Sequence, residues 1–422
     1  MSAKLKLIVM NFLQFAIWGA YLTSQGRYLG NIGLGEKIGI FYAIQGIVSI
    51  FMPAIIGIIA DKWIPAQKML GLCHIIAACT MIGAGYYGYI AGSEADFSTL
   101  FTLYTISVAF FMPTIALSYS VAYTVLGKAG LDEIKAFPPI RIWGTIGFIC
   151  SMWFVDLMGF QTNSFQYITS GIIGLILAAY AFTLPNCDIK KSDKKQTLVE
   201  AMGLSAFKLF KQKKMAVFFI FSMLLGVALQ ITNGFANPFL GDFGNIPEYA
   251  NTFGVKHSNM LISLSQISET FCILLIPYCL HKFGIKKVML LAMIAWVLRF
   301  GLFGLGNPGN EVWMFILSMI VYGIAFDFFN ISGSLFVNQN TDSSIRSSAQ
   351  GLFMLMTNGI GAALGTMTAQ VVVNHFVNSQ TNISNRMIGW SNAWYVFALY
   401  ALVVTIMFAI LFKYKHIPEK TK

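Results

Sequence analysis

Apolar runs of about twenty residues, separated by short polar intervals, occupy nearly the whole chain. A helix rises about 1.5 Å per residue, so roughly 20 apolar residues cross a bilayer core. Runs of that length are predicted at about 5–28, 38–60, 68–91, 98–126, 138–160, 164–184, 215–240, 257–281, 286–306, 311–338, 347–375 and 391–413. These twelve spans divide six and six. The one long polar interval, Pro185 to Lys214, holds eight lysines and reads as a cytoplasmic linker, with an amphipathic helix expected from Leu198 to Phe210. The pattern therefore predicts an all-α membrane protein of twelve transmembrane helices: an N-terminal six-helix bundle over 1–184, a linker over 185–214, and a C-terminal six-helix bundle with a short cytoplasmic tail over 215–422.

Composition agrees with the pattern. The 422 residues are 57% hydrophobic and 11% charged, with a mean hydropathy of +0.69, which excludes a water-soluble domain of this size. The spans lack the alternation of a β-barrel strand. A net charge of +11 would suit nucleic acid, but the basic residues lie in short loops between spans, so no nucleic-acid partner is expected. Of 28 Lys and Arg, only Arg27, Lys37, Lys256 and Arg386 fall outside if the N-terminus is inside. The positive-inside rule then places both termini in the cytoplasm. Cys73, Cys79, Cys150, Cys187, Cys272 and Cys279 show neither metal-ligand spacing nor a disulfide framework and read as small buried hydrophobes. No nucleophile motif or metal cluster is visible, so the chain reads as a non-enzyme needing no cofactor and no metal.

The two halves repeat devices at the same ordinal places. Between spans 2 and 3 stands Gly57-Ile-Ile-Ala-Asp61-Lys62, and between spans 8 and 9 His281-Lys282-Phe-Gly284-Ile-Lys286-Lys287. The first resembles the G-x-x-x-D-[RK] loop of the major facilitator superfamily, and the second is similar to a weaker counterpart. Pro139-Ile-Arg141 enters span 5 as Ser344-Ile-Arg346 enters span 11. Six-helix repeats related by an axis along the membrane normal are expected to show such echoes. Gly57, Asp61 and Lys62 are assigned to the conformational cycle rather than to substrate.

Polar residues deep in apolar spans carry the candidate chemistry. Span 7 holds Gln230 and Asn233, span 8 Gln266 and Glu269, and span 10 Asp327 and Asn330. The i, i+3 spacing turns each pair to one helical face. An Asp at the centre of a membrane helix costs roughly 2.5–3.5 kcal/mol, so it usually marks a partner or a watery cavity. One reading of Glu269 and Asp327 is a structural ion pair with Arg299; the other is a shared polar cavity. On span 5, Arg141, Thr145 and Phe148 share a face, although Arg141 near a helix end can also snorkel to the headgroups. Gln14 and Gln45 can line a cavity or make packing hydrogen bonds. His74, alone among apolar residues, reads as structural.

Two carboxylates and four amides without a strong positive field suit a neutral polyhydroxyl molecule. Carboxylates accept adjacent hydroxyl hydrogens, and amides pair with mixed donor and acceptor edges. Phe148 or Phe326 can stack on a flat ring. Chemistry alone reaches a sugar or a nucleoside.

Longer motifs narrow that choice. Phe12-Leu-Gln-Phe with Trp18-Gly19, Phe137-Pro-Pro-Ile-Arg-Ile-Trp-Gly-Thr-Ile-Gly-Phe148, Leu229-Gln-Ile-Thr-Asn233, Ser265-Gln-Ile-Ser-Glu269 and Phe326-Asp-Phe-Phe-Asn-Ile-Ser-Gly333 resemble the bacterial nucleoside:proton symporter family of the major facilitator superfamily. The resemblance implies proton-driven import of purine and pyrimidine nucleosides across the bacterial inner membrane by alternating access. It implies that Gln230, Asn233, Gln266, Glu269, Asp327 and Asn330 hold the nucleoside, with Arg141, Thr145, Phe148 and Phe326 in or beside the cavity. The proton is assigned to Asp327 first and Glu269 second, because desolvation in general lets a carboxyl exchange a proton near neutral pH. The expected partners are nucleoside, proton and membrane lipid, with a monomer sufficient for function. The alternatives are a proton-coupled sugar permease or a transporter-like receptor.

Overall fold

The computed structural model describes residues 2–188, 204–342 and 345–414, and within them all side chains except those of Asp61, Glu133, Ile134, Leu204, Ser205 and Ser347. Among the described residues the secondary structure is helical throughout, with no strand. A bilayer offers no water to backbone groups, so a chain this apolar must close its hydrogen bonds within each segment. Chain contacts divide the molecule into Met1–Ala201 and Met202–Lys422.

The N-terminal unit contains α1 (Ala3–Gly19), α2 (Gln25–Asn31), α3 (Ile38–Lys62), α4 (Ala66–Ala91), α5 (Phe97–Lys128), α6 (Glu133–Leu157) and α7 (Phe165–Ala181). Span 1 is thus not continuous: a turn separates α1 from α2, and the Tyr42 hydroxyl donates to the freed Leu22 carbonyl. Polar caps hold helix ends. Asp96 Oδ2 accepts from the Thr99 N–H at 2.9 Å and from its hydroxyl at 3.0 Å. The backbone N–H first, then the hydroxyl, hold the Asp96 carboxyl below its usual range. Helix α1 packs closely on α6, where a Cβ on Gly147 would stand 2.1 Å from the Phe12 carbonyl oxygen.

The C-terminal unit contains α8 (Lys213–Leu229), α9 (Ile231–Asp242), α10 (Ser258–Leu305), α11 (Val312–Asn340), α12 (Arg346–Met354), α13 (Ala362–Val373) and α14 (Ile383–Leu411). Span 7 breaks at Gln230, between α8 and α9. Span 11 is α12 and α13 joined through a π-helical stretch, Leu355–Gly361, and continued by another, Asn374–Asn378. It lies against α8 so closely that a Cβ on Gly365 would stand 2.2 Å from the Val227 carbonyl oxygen. Spans 7 and 11 therefore approach in this unit as spans 1 and 5 do in the other. Small residues at such seams let backbones meet where lipid gives no hydrophobic drive.

Nine helices among the described residues are long and apolar enough to cross a membrane. The difference from twelve has three local causes. Spans 8 and 9 are two helices that meet at Gly284 (φ 76°, ψ 165°), a backbone conformation that favours glycine, and are labelled together as α10. The break in span 1 leaves α1 at 17 residues, and α7 is also 17 residues long. The loop expected between spans 8 and 9 is thus little more than one glycine. The linker differs too: Leu204–Lys211 is a 3-10 helix, and the remainder of the expected amphipathic helix lies outside the described residues. All six cysteines are free; Cys79 and Cys150 are exposed rather than buried. Gly57 and Lys62 lie on the last turns of α3, and the Asp61 side chain lies outside the described ones.

Candidate functional site

The C-terminal unit gathers three of the predicted polar pairs. At the α8–α9 break, Asn233 Nδ2 donates to Gln230 Oε1 at 2.9 Å, so this pair is satisfied within one turn. Both side chains are half-buried. A helix broken at membrane depth exposes backbone groups only where protein or a cavity answers them. On α10, Gln266 is buried and its Oε1 has no hydrogen-bond partner among the described residues. Glu269, one turn on, is half-buried. On α11, Asp327 is 5% exposed, and Asn330 is half-buried.

Two observations bring these helices together. Glu269, Arg299 and Asp327 all lie within electrostatic range of the Tyr322 hydroxyl, and Glu269 and Asp327 within that of the Cys272 thiol. The Ser268 hydroxyl donates across to the Ile320 carbonyl, tying α10 to α11. A small cavity of about 10 Å³ is lined by Leu229, Trp296, Phe326, Asn330 and Thr357 among others. It sets the end of α8 beside the Phe326 and Asn330 face of α11.

Arg299 is buried, and its contacts are neutral. Nη1 donates to the Ser318 carbonyl at 2.7 Å and to Ser265 Oγ at 3.3 Å, and the guanidinium stacks 4.6 Å from the Tyr322 ring centroid. The ion-pair reading for Arg299 has no contact of this kind to carry it among the described residues, where the guanidinium meets a carbonyl, a hydroxyl and a ring.

In the N-terminal unit, Arg141 is half-buried and held by two aromatic residues. Its Nε donates to the Tyr119 hydroxyl at 2.9 Å, and its guanidinium carbon lies 3.8 Å from the centre of the Phe15 ring. Thr145 is half-buried and Phe148 buried, the latter edge-on to Trp18 with centroids 6.5 Å apart. Gln14 and Gln45 are packing residues. Gln14 Nε2 donates to Thr114 Oγ1 at 2.7 Å, and Gln14 Oε1 meets His74 Nε2 at 2.9 Å. Gln45 accepts from Trp18 Nε1 at 3.2 Å and donates to the Tyr104 hydroxyl at 2.7 Å. His74 is accordingly structural. Sequence reasoning passed over Phe15, Tyr119, Trp296 and Tyr322 as partners; for Tyr322 the signal was its i, i+4 spacing from Phe326.

Membrane-crossing helices in two units, with buried and half-buried carboxylates and amides grouped on three spans of one of them, define a secondary transporter of the major facilitator fold and not an enzyme. The chain belongs to the nucleoside H+ symporter family, whose model matches residues 1–417. It is 48% identical to the xanthosine permease of Escherichia coli (strain K12) over 426 residues, covering 100% of this chain and 99% of that protein. It is 44% identical to the nucleoside permease NupG of the same organism over 425 residues, covering 100% and 98%. The crystal structure of nucleoside transporter NupG superposes with a TM-score of 0.89 at 44% identity, covering 98% of this chain and 100% of that one.

Proposed function

We propose that the protein imports purine and pyrimidine nucleosides together with protons across the bacterial cytoplasmic membrane by alternating access, with both termini cytoplasmic. The observation that carries the reading is the grouping of Glu269 and Asp327 about Tyr322, beside the buried and unanswered Gln266 acceptor. Carboxylates suit the ribose diol, and Gln230, Asn233, Gln266 and Asn330 suit the mixed edge of a base. Phe326 supplies a ring for stacking. Arg141, Thr145 and Phe148 are retained as proposed substrate contacts. Asp327 is the proposed proton-coupled group and Glu269 the second, since a carboxyl moving between water and a desolvated site exchanges a proton. The names of the xanthosine and nucleoside permeases support nucleosides over free sugars.

Proteoliposome uptake of labelled uridine under an imposed pH gradient tests this directly. Accumulation above equilibrium, abolished by a protonophore and competed by adenosine and xanthosine but not by ribose, is expected. Uptake insensitive to the gradient removes the proton, and competition by ribose at equal concentration returns the reading to a sugar permease.

A further inference from the structure

Arg299 is 2% exposed on the second half of α10, and its Nε has no hydrogen-bond partner among the described residues. Burying a cation is expensive, and hydrogen bonds meet only part of that cost here. What remains is aromatic. The guanidinium carbon lies 4.6 Å from the Tyr322 ring centroid and 5.6 Å from that of Phe303. Tyr322 in turn stacks on Phe326, one helical turn along, with centroids 5.5 Å apart and planes 13° from parallel. Trp296 closes the side of Tyr322 edge-on at 5.9 Å and 89°. Hydrogen bonds lock the cation in register: Nη1 to the Ser318 carbonyl at 2.7 Å, and the Ser318 hydroxyl back to the Arg299 carbonyl at 2.9 Å. Guanidinium, Tyr322 and Phe326 therefore form one continuous stack running from α10 to the candidate site.

We propose that Arg299 is a positioning residue for nucleoside recognition, fixing the Phe326 ring from behind through Tyr322. This rests on the reading above in which Phe326 contacts the nucleoside. Only a planar, weakly hydrated cation fulfils this role. Arginine lies flat on a ring while its fork reaches Ser318 and Ser265, whereas a lysine ammonium keeps the charge but presents no plane. Base affinity thus depends on a side chain that never touches substrate. The ring of Tyr322, and not its hydroxyl, carries the effect.

Titration calorimetry of the purified full chain with uridine and adenosine tests the relay. Phe326→Leu is expected to weaken binding about tenfold and Arg299→Lys about fivefold. Tyr322→Leu should lose affinity as Arg299→Lys does, and Tyr322→Phe should keep it. The doubly substituted Arg299→Lys, Phe326→Leu protein should bind no worse than Phe326→Leu alone, because the relay ends in a ring that is gone. Wild-type affinity in Arg299→Lys, equal loss in Tyr322→Phe and Tyr322→Leu, or a double substitution that multiplies the two losses overturns the proposal. In those cases the loss in Phe326→Leu leaves the substrate contact standing. Wild-type affinity in Phe326→Leu overturns that contact and the relay with it.

Discussion

In the N-terminal unit Gln14, from span 1, gives its amide N–H to Thr114 on α5 and meets His74 on α4, while Gln45 joins Trp18 to Tyr104. In the C-terminal unit Gln230 accepts from its own neighbour Asn233, and Gln266 Oε1 has no partner among the described residues. The same residue type, on spans of similar apolarity, thus does different work. An amide whose partners come from two other helices is a staple that fixes those helices. An amide satisfied within one turn, or left with an open acceptor, is available to something that arrives. The carboxylates follow that division: Glu269 and Asp327 lie with the open amides.

Substitutions can break this contrast at several strengths. The largest effect is expected from Asp327→Asn, which removes the proposed proton site while nearly preserving shape. Gradient-driven accumulation of uridine should fall to the level of empty vesicles, and undiminished uphill uptake would falsify the assignment. Next, Gln266→Leu or Gln230→Ala should weaken nucleoside binding about tenfold, the worth of a buried hydrogen bond, with little change in thermal unfolding. The converse substitution, Gln14→Leu, strands Thr114 and His74. It should lower stability by about 1–3 kcal/mol and leave calorimetric affinity unchanged; a loss of affinity with unchanged unfolding would erase the distinction between the two units.

Asp242 joins the end of α9 to the first turns of α14, accepting from Arg386 Nε and Trp390 Nε1 at 2.6 Å each. Asp242→Asn leaves the Arg386 cation without its carboxylate, and a melting temperature lowered by a few degrees is expected in detergent. The smallest effect concerns Asp96. Its carboxyl is depressed in the folded state by Thr99, so its contribution to stability is present above the unfolded value of about 3.9 and is lost as pH falls through the lower folded value. Asp96→Ala should therefore melt slightly earlier at pH 7, and the gap should close in strong acid; a gap that widens in acid would reverse the sign.

Much of the fold was legible because the bilayer admits few solutions. Spans such as 38–60, 98–126 and 311–338 coincide within a few residues with α3, α5 and α11, since length and apolarity alone decide a crossing helix. The break at Gln230 was not legible: the polar residues of Leu229-Gln-Ile-Thr-Asn233 mark a candidate site, but an interruption depends on what answers the freed backbone groups. The turn at Gly284 was marked by its glycine and flanking lysines, but its shortness came only from how the two helices pack.

By itself the sequence determined that this chain crosses a membrane many times, in two halves, with acids and amides recurring at i, i+3 on three spans. Burial of charge is so costly in hydrocarbon that those residues stand out without any coordinates. Tertiary structure alone decided which polar groups are spent on one another and which are not. It turned Gln14 and His74 into a packing network, set the Arg299 guanidinium over the Tyr322 ring, and placed Tyr322 among Glu269, Arg299 and Asp327. Hydrogen bonds and ring contacts between distant helices depend on which faces meet, and a one-dimensional pattern records the face but not its neighbour.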